Sequence, residues 1–253
     1  MVFFQKHGLS NPATFIHYDV TDFQFPPHFH PAYELLFVDS GAVDVFLDNQ
    51  YYRLTSGQAI FIHSNQLHHM QTVGTTKMTV LLFSQQLISD FDQQYKGEIA
   101  AYPVINFPLD IDLAECKTVY HKKAFLYQFI SRFISMTDFI PHNRSTNTTA
   151  LYDVLLYVEA HYNGHCSLKE AANILQYDYT YLSLLFKQMT NMSFTDYVNQ
   201  YRIGFALDQL KNSELTISEI ARQSGYDTLR TFNRNFLKWV NMTATDYRKK
   251  ETG

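Results

Sequence analysis

The sequence predicts a two-domain α+β chain: an N-terminal antiparallel β-barrel with following helices, then an all-α C-terminal domain of two helix-turn-helix units. Three observations carry this. Short β-branched and aromatic runs separated by turn formers fill residues 14 to about 84. A polar, aperiodic stretch, PHNRSTNTT, interrupts the chain at 141–149. Beyond it the chain repeats itself: Leu168, Ala171 and Ala172 recur 49 positions later as Ile217, Ile220 and Ala221, and Tyr177-Asp178 as Tyr226-Asp227. Past the turn the offset becomes 50, matching Leu182 with Phe232, Phe186 with Phe236 and Asp196-Tyr197 with Asp246-Tyr247, so the second turn carries one extra residue. The expected domains are 1–140, a linker at 141–149, and 150–253.

In the first domain, segments 32–38, 42–47, 59–63 and 77–83 read as strands, with turns at Ser40-Gly41, Asp48-Asn49 and Ser56-Gly57. Several short strands at this spacing fit an antiparallel barrel or sandwich. Residues 112–136 place Val119, Ala124, Phe125, Phe129, Ile130, Phe133 and Ile134 at helical spacings, as an amphipathic helix or a broken pair of helices would. In the second domain helices are expected at 168–175 and 179–189, the latter capped by Asp178, then at 217–224, ending at Gly225. A last helix runs through LRTFNRNFLKWV, capped by Asp227 or Thr228. Its buried positions are Phe232 and Phe236, which leaves Arg230, Thr231, Asn233 and Arg234 on the exposed face. These residue types reach base edges and phosphates, so double-stranded DNA is the expected partner.

At 253 residues and 46% hydrophobic composition, the chain can bury two ordinary cores. Cys116 and Cys166 lie far apart with no CxxC or Cys/His spacing, which excludes a structural zinc motif and fits reduced thiols in a cytoplasmic protein. The opening MVFFQKHGLS lacks the apolar core of a secretory signal, and no run approaches membrane-spanning length, so no membrane partner is expected. Charge is modest: the formal net charge is −4, and the basic excess is local, with seven Lys and Arg against four Asp and Glu over residues 217–253. That balance predicts moderate nonspecific affinity for DNA.

The C-terminal residues resemble the AraC/XylS family of transcriptional regulators. The matching pattern is Ala172, Asp178, Tyr181-Leu182, Phe186-Lys187, Ser193-Phe194, Tyr197, Arg202-Ile203 and Ala206, then Ile217, Glu219-Ile220-Ala221, Gly225-Tyr226, Phe232, Arg234, Phe236, Thr243 and Tyr247-Arg248. It spans roughly 150–250. The resemblance implies base or phosphate contacts from Thr180, Ser183, Leu184 and Lys187 in the first unit, and from Leu229, Arg230, Thr231, Asn233 and Arg234 in the second. Departures are Asp178 for Ser, Asn191 and Asn241 for Gly, Leu184 for Arg, Leu237 for Lys and Ala244 for Pro. A leucine at 184 can meet only a thymine methyl or other apolar surface, which weakens base reading by the first helix.

The segment PPHFHPAYELLFVDSG holds His28, His30, Glu34 and Gly41 at the spacing of a first cupin motif, and His68 follows Gly57 as in the second. This arrangement resembles the sensor barrels of AraC-type regulators, and implies a cupin-like effector-binding and dimerisation domain. Residues 28, 30 and 34 share strand parity and so one face. Their chemistry could hold a divalent metal. The resemblance implies instead a small polar effector, a sugar or related metabolite, contacted by His28, His30, Tyr33, Glu34, Phe61 and His68 without metal or cofactor. Phe37 and His63 are further candidates, and Tyr33, Phe37, Phe61 and His63 are each equally readable as core. MVFFQKHGLS reads equally as an arm over the cavity or as a packed or disordered terminus.

The reading adopted is a ligand-responsive transcription regulator, an activator by family habit, acting as a homodimer with RNA polymerase as a further partner, and not an enzyme. A rival is a metal-dependent cupin enzyme whose helices form an interaction domain, although such an enzyme has no need of the repeat. A third reading keeps DNA binding and reduces the barrel to dimerisation.

Overall fold

A computed structural model describes residues 13–252 apart from Asn49. The N-terminal arm considered above, and Asn49 of its expected turn, lie outside the described residues. Two compact units meet in sequence between Arg144 and Ser145. No helix among the described residues is long and apolar enough to cross a membrane.

The first unit is built on two long strands, β3 (Tyr33–Leu47) and β6 (His68–Phe83), paired antiparallel along their lengths. Around one end of this pair lie β1 (Phe15–Thr21) on β6 and β5 (Gln58–Ile62) on β3, with β8 (Val104–Asn106) beyond β5. Around the other end lie β2 (Gln24–His28) on β6 and β4 (Gln50–Thr55) on β3. Both ends turn the same face inward: Leu36, Val45, Leu54, Ile60, Ile62, Met70, Val80 and Leu82 form one buried aliphatic interior. This is the β-rich, barrel-like domain the sequence predicts.

The expected break at Ser40-Gly41 is instead a bulge inside β3, where the register against β6 shifts twice. Gly41 adopts a φ of 84°, and a Cβ there would stand 2.6 Å from the Thr75 carbonyl oxygen. A glycine at such a bulge bends a strand without ending it, which lets one strand serve both ends of the sheet.

The opposite face of the sheet is aromatic. Tyr33, Leu35, Phe37, Phe61, Leu81 and Phe83 pack under α2 (Val119–Phe133), against Phe125, Leu126, Phe129, Ile130 and Phe133. Of the helical stripe read from sequence, Val119, Ala124 and Ile134 are exposed, because α2 buries the face centred on Phe129. α1 (Ser89–Gln94) adds Phe91 to the same layer.

The stretch 141–149 is not an irregular linker. Pro141 ends β9 (Phe139–Pro141), which pairs with β7 (Glu98–Ala100). The His142 amide donates to Gly97 O and its ring meets Asp48 at 3.1 Å, while Arg144 donates to Asn65 O. Ser145 then caps α3 (Thr146–His161), its Oγ accepting from the Thr148 amide. The Ser and Thr residues that read as loop chemistry are a helix N-terminus.

The second unit holds α3 and six further helices among the described residues: α4 (Leu168–Leu175), α5 (Tyr179–Thr190), α6 (Phe194–Asn212), α7 (Ile217–Gln223), α8 (Leu229–Val240) and α9 (Ala244–Thr252). The 49-residue repeat is visible in its caps. Ser167 and Thr216 cap α4 and α7, the latter through a full capping box with Glu219. Gln176 (φ 59°) and Gly225 (φ 84°) take the left-handed turn position in each unit. Asp178 and Thr228 then cap α5 and α8, so the extra residue of the second turn is Asp227. Asn191 and Asn241 end α5 and α8 at φ 54° and 61°. Asn tolerates this conformation better than most residues, which explains how it replaces the family's Gly.

Candidate functional site

Two places in the chain concentrate functional side chains: the exposed faces of α5 and α8, and a polar cluster inside the β unit.

In each helix-turn-helix the second helix is fixed by a buried stripe and so has one defined outer face. On α5, Leu182, Leu185 and Phe186 are buried, and the Phe186 ring stands 5.4 Å from both Phe194 and Tyr197 of α6. On α8, Phe232 and Phe236 are fully buried with Ile220, Ala221, Tyr226 and Tyr247. The residues named from sequence fall on the remaining surface. Leu229, Arg230, Asn233 and Arg234 are exposed and Thr231 is half-buried, as are Thr180, Leu184 and Lys187 exposed and Ser183 half-buried on α5. Neither Arg230 nor Arg234 forms an ion pair or side-chain hydrogen bond among the described residues. Leu184 is 67% exposed, an apolar side chain held out to solvent with nothing packed over it.

The two helix-turn-helix units are joined tightly. Arg202 of α6 donates from Nε to Tyr162 O (2.7 Å) and from Nη2 to Gly164 O (2.8 Å), and its guanidinium lies 5.4 Å from the Tyr226 ring centre. Tyr226 donates in turn to Asn199 O at 3.4 Å. Lys238 of α8 reaches Asp196 at the start of α6 (2.6 Å), and this ammonium, with the Ser193 hydroxyl, holds the Asp196 carboxyl below its ordinary value. These contacts were not legible in the sequence, although Arg202 was part of the family pattern.

Inside the β unit, His28, His30, Glu34 and His68 converge. They come from different elements: His28 ends β2, His30 lies in the following turn, Glu34 is on β3 and His68 opens β6. They are 7%, 2%, 0% and 1% exposed. His30 Nε2 lies 2.8 Å and His68 Nε2 3.3 Å from Glu34 Oε2. Each ring's Nδ1 meets a nearby backbone carbonyl: Pro26 O at 2.9 Å for His28, Ala32 O at 3.0 Å for His30 and Gln66 O at 2.8 Å for His68. Burial alone would raise the Glu34 carboxyl, yet its contacts with His30 and His68 hold it below the ordinary carboxylate range. Burial, aided by His68 and His30, holds the His28 imidazole well below its usual value. The phenol of Tyr18 is raised by burial and then by the Glu34 charge, which places it beside the same cluster.

A loop network holds His68 in place. Gln66 Oε1 accepts from the His63 amide and Gln66 Nε2 donates to Asp48, while Ser64 Oγ donates to Pro31 O and the Asn65 amide to His30 O. The turn carrying His30 and the loop preceding His68 are thereby tied together.

Tyr33 and Phe61 are not part of this cluster. Glu34 pairs with Ile62 and Leu82 and shares their inner face, whereas Tyr33, Phe61 and Phe37 belong to the aromatic layer under α2. The Tyr33 hydroxyl donates to Asp92 at 2.7 Å, and Phe61 is fully buried among Tyr33, Phe91 and Phe133. Strand parity puts adjacent residues on opposite faces, so Glu34 and Tyr33 cannot line one pocket. His63 lies in that second layer as well, its Nε2 accepting from the Ala100 amide at 3.1 Å.

Comparison with known proteins agrees with this division. An AraC-like ligand binding domain matches residues 12–108, and a helix-turn-helix domain matches residues 171–250. The transposon Tn10 TetD protein of Escherichia coli is 30% identical over 109 residues, covering 43% of this chain and 79% of TetD. An uncharacterized HTH-type transcriptional regulator of Staphylococcus aureus (strain MSSA476) is 22% identical over 237 residues, 84% of this chain but 31% of that longer protein. Similarly, the chain spans 15% of the uncharacterized regulator YtdP of Bacillus subtilis. The fold matches that of ToxT from Vibrio cholerae O395, at a TM-score of 0.53 and 16% identity, over 94% of this chain and 98% of ToxT. With a ligand-binding domain ahead of two helix-turn-helix units, the chain belongs to the AraC family of DNA-binding transcription regulators.

Proposed function

We propose that the chain is an effector-responsive transcription activator that acts as a homodimer in the cytoplasm and meets RNA polymerase at promoters. DNA is read by Arg230, Thr231, Asn233, Arg234 and Leu229 of α8, with Thr180, Ser183, Leu184 and Lys187 of α5 making the weaker contacts. The observation that carries this is the outer face of α8: two arginines and an asparagine without internal partners, on a helix fixed by Phe232 and Phe236. Arg and Asn pair bidentately with guanine and adenine edges, and Thr and Lys position the backbone. On α5 a Leu stands where a base-reading Arg would add charge, which makes α8 the dominant reader.

The effector enters the β unit and engages His28, His30, Glu34 and His68, the polar end of an otherwise apolar interior that includes Phe23 and Phe25. A small polar molecule, a sugar or related metabolite, would meet hydrogen-bonding groups there. It acts only if its affinity differs between two states of the chain. Regulation rather than catalysis follows from the tandem DNA-reading unit, which a cupin enzyme would not use.

Genome-wide immunoprecipitation followed by gel shift tests the reading. Enrichment at a few promoters, with shifts of those fragments by the purified chain, is the expected result. Absence of any enriched promoter, together with no shift on genomic fragments at micromolar protein, overturns it.

A further inference from the structure

We propose that the operator is chemically asymmetric: under α5 it presents a thymine C5-methyl group to Leu184, at the position of the half-site where, under α8, it presents a guanine to Arg234. This deepens the DNA-reading assignment of the same two helices, and rests on it.

The two helices can be compared residue for residue. Each has 12 residues, an N-cap side chain that accepts from the amide three positions on (Asp178 from Tyr181, Thr228 from Thr231), and a left-handed Asn at its C-terminal end. The buried pairs Leu182/Phe186 and Phe232/Phe236 fix the rotation of each helix about its axis. A constant offset of 50 therefore pairs the outward positions: Thr180 with Arg230, Ser183 with Asn233, Leu184 with Arg234 and Lys187 with Leu237. At the first three, α8 carries a group that bonds base edges across the groove, and α5 carries a short hydroxyl or a hydrocarbon.

Leu184 is 67% exposed. Single exposed leucines are ordinary on protein surfaces, but this one stands four residues after Thr180 and three before Lys187, so one helix face holds all three. Lys187 lines a cleft with Lys169, Ser193 and Thr195 at the start of α6, which suits a backbone phosphate and turns the face carrying Leu184 toward the duplex. In α8 the order is reversed: Arg234 precedes the exposed Leu237, and the neighbouring Lys238 is engaged by Asp196.

A leucine side chain has neither donor nor acceptor. In the major groove only a pair containing thymine offers a methyl group, whereas a G·C pair offers hydrogen-bonding atoms. Covering those atoms with Leu184 strips them of water without a replacement bond. The side chain thus gains at thymine and loses at G·C, the opposite of Arg234, whose two parallel donors match guanine O6 and N7. With α5 and α8 in successive grooves, the thymine and the guanine lie about 10–10.5 base pairs apart.

The test starts from duplexes selected out of a random library by the full chain, resynthesised with deoxyuridine in place of each thymidine in turn, which removes the methyl and keeps the pairing. Fluorescence anisotropy on the parent chain should show a loss of about 4-fold at one thymidine of the α5 half-site, the worth of one buried methyl-sized group. Leu184→Ala should bind that duplex and the unmodified one equally, the coupling expected of a direct contact, and Leu184→Arg should prefer guanine there. Because Leu184 is exposed, circular dichroism of both variants should match the parent. No sensitivity to deoxyuridine anywhere in the operator, or equal sensitivity in the parent and Leu184→Ala, overturns the proposal. So does a Leu184→Ala chain that binds DNA as the parent does but loses transcription with RNA polymerase, since Leu184 would then meet protein. Arg234→Ala on the same duplexes separates the two readings: weakened binding with no deoxyuridine effect leaves the DNA-reading face standing and removes only the Leu184 contact. Selection of no common sequence removes both.

Discussion

Gly225, in the turn of the second helix-turn-helix, lies directly against the backbone of Tyr162, ahead of the first. A Cβ on Gly225 would come within 2.8 Å of Asn163 Cα and closer still to the Tyr162 carbonyl oxygen, the acceptor for Arg202 Nε. Gly225 therefore does two things: its φ of 84° turns the chain from α7 toward α8, and its missing side chain lets the two units touch. Two DNA-reading helices can meet one face of a duplex only if their spacing is fixed, and this contact helps to fix it.

Gly225→Ala should accordingly be severe. The left-handed conformation costs about 1–2 kcal/mol for a residue with Cβ, and the steric conflict adds to that, for a loss of roughly 2 kcal/mol or more. Urea unfolding measures it. A shift within about 0.5 kcal/mol would mean that the junction is looser than described.

Arg230→Ala and Arg234→Ala should each weaken operator binding by about 10-fold to 100-fold, in line with about 1–3 kcal/mol for a lost base contact. Thermal midpoints should stay within about 1 °C, since both side chains are exposed and without internal partners. Thr180→Ala and Ser183→Ala should cost less than either arginine. Fluorescence anisotropy on a labelled operator checks the order, and equal losses across the four variants would disprove the dominance of α8.

The caps offer a matched pair. Asp178→Ala and Thr228→Ala remove the acceptors for the Tyr181 and Thr231 amides, and each should destabilise the helical unit by about 1 kcal/mol. Replacing either with Ser should restore most of the loss. Chemical denaturation of all four proteins provides the measurement.

Acid should destabilise the β unit through His63. Burial, with the His142 charge adding to it, holds this imidazole down at about 3, against an ordinary value of 6.5. The Ala100 amide already donates to Nε2, so a proton there would set two donors against each other. Between about pH 6.5 and 3 the unfolded chain takes up a proton that the folded chain refuses. Stability from this group is therefore complete above pH 6.5 and falls by roughly 1.4 kcal/mol per unit as pH drops through that window. His63→Asn should flatten the slope of unfolding free energy against pH by close to one proton; an unchanged slope would contradict the assignment.

The helical unit was legible because its signals are local. Caps at Asp178, Gly225 and the apolar pairs Leu182/Phe232 and Phe186/Phe236 each specify backbone or burial within a few residues. The β unit was legible only in part. Ser40-Gly41 carries turn chemistry, but its bulge depends on Thr75 and Thr76 of a strand over thirty positions away. The convergence of His28, His30, Glu34 and His68 could be expected from spacing, whereas their Nδ1 partners could not. Tyr33 was readable from sequence either as a ring against an effector or as core, and strand alternation, which opposes it to Glu34, puts it in the core layer under α2. The helix start at Ser145 was hidden because Ser and Thr serve turns and N-caps alike.

The central claim is that α5 and α8 together read one face of a duplex, and hydroxyl-radical footprinting of the full chain on a selected operator tests it most directly. Two protected segments on one face, about one helical turn of 10–10.5 base pairs apart per subunit, are predicted. The upstream or downstream segment alone should fade in Arg230→Ala. A single protected segment per subunit, or two on opposite faces, would contradict the account.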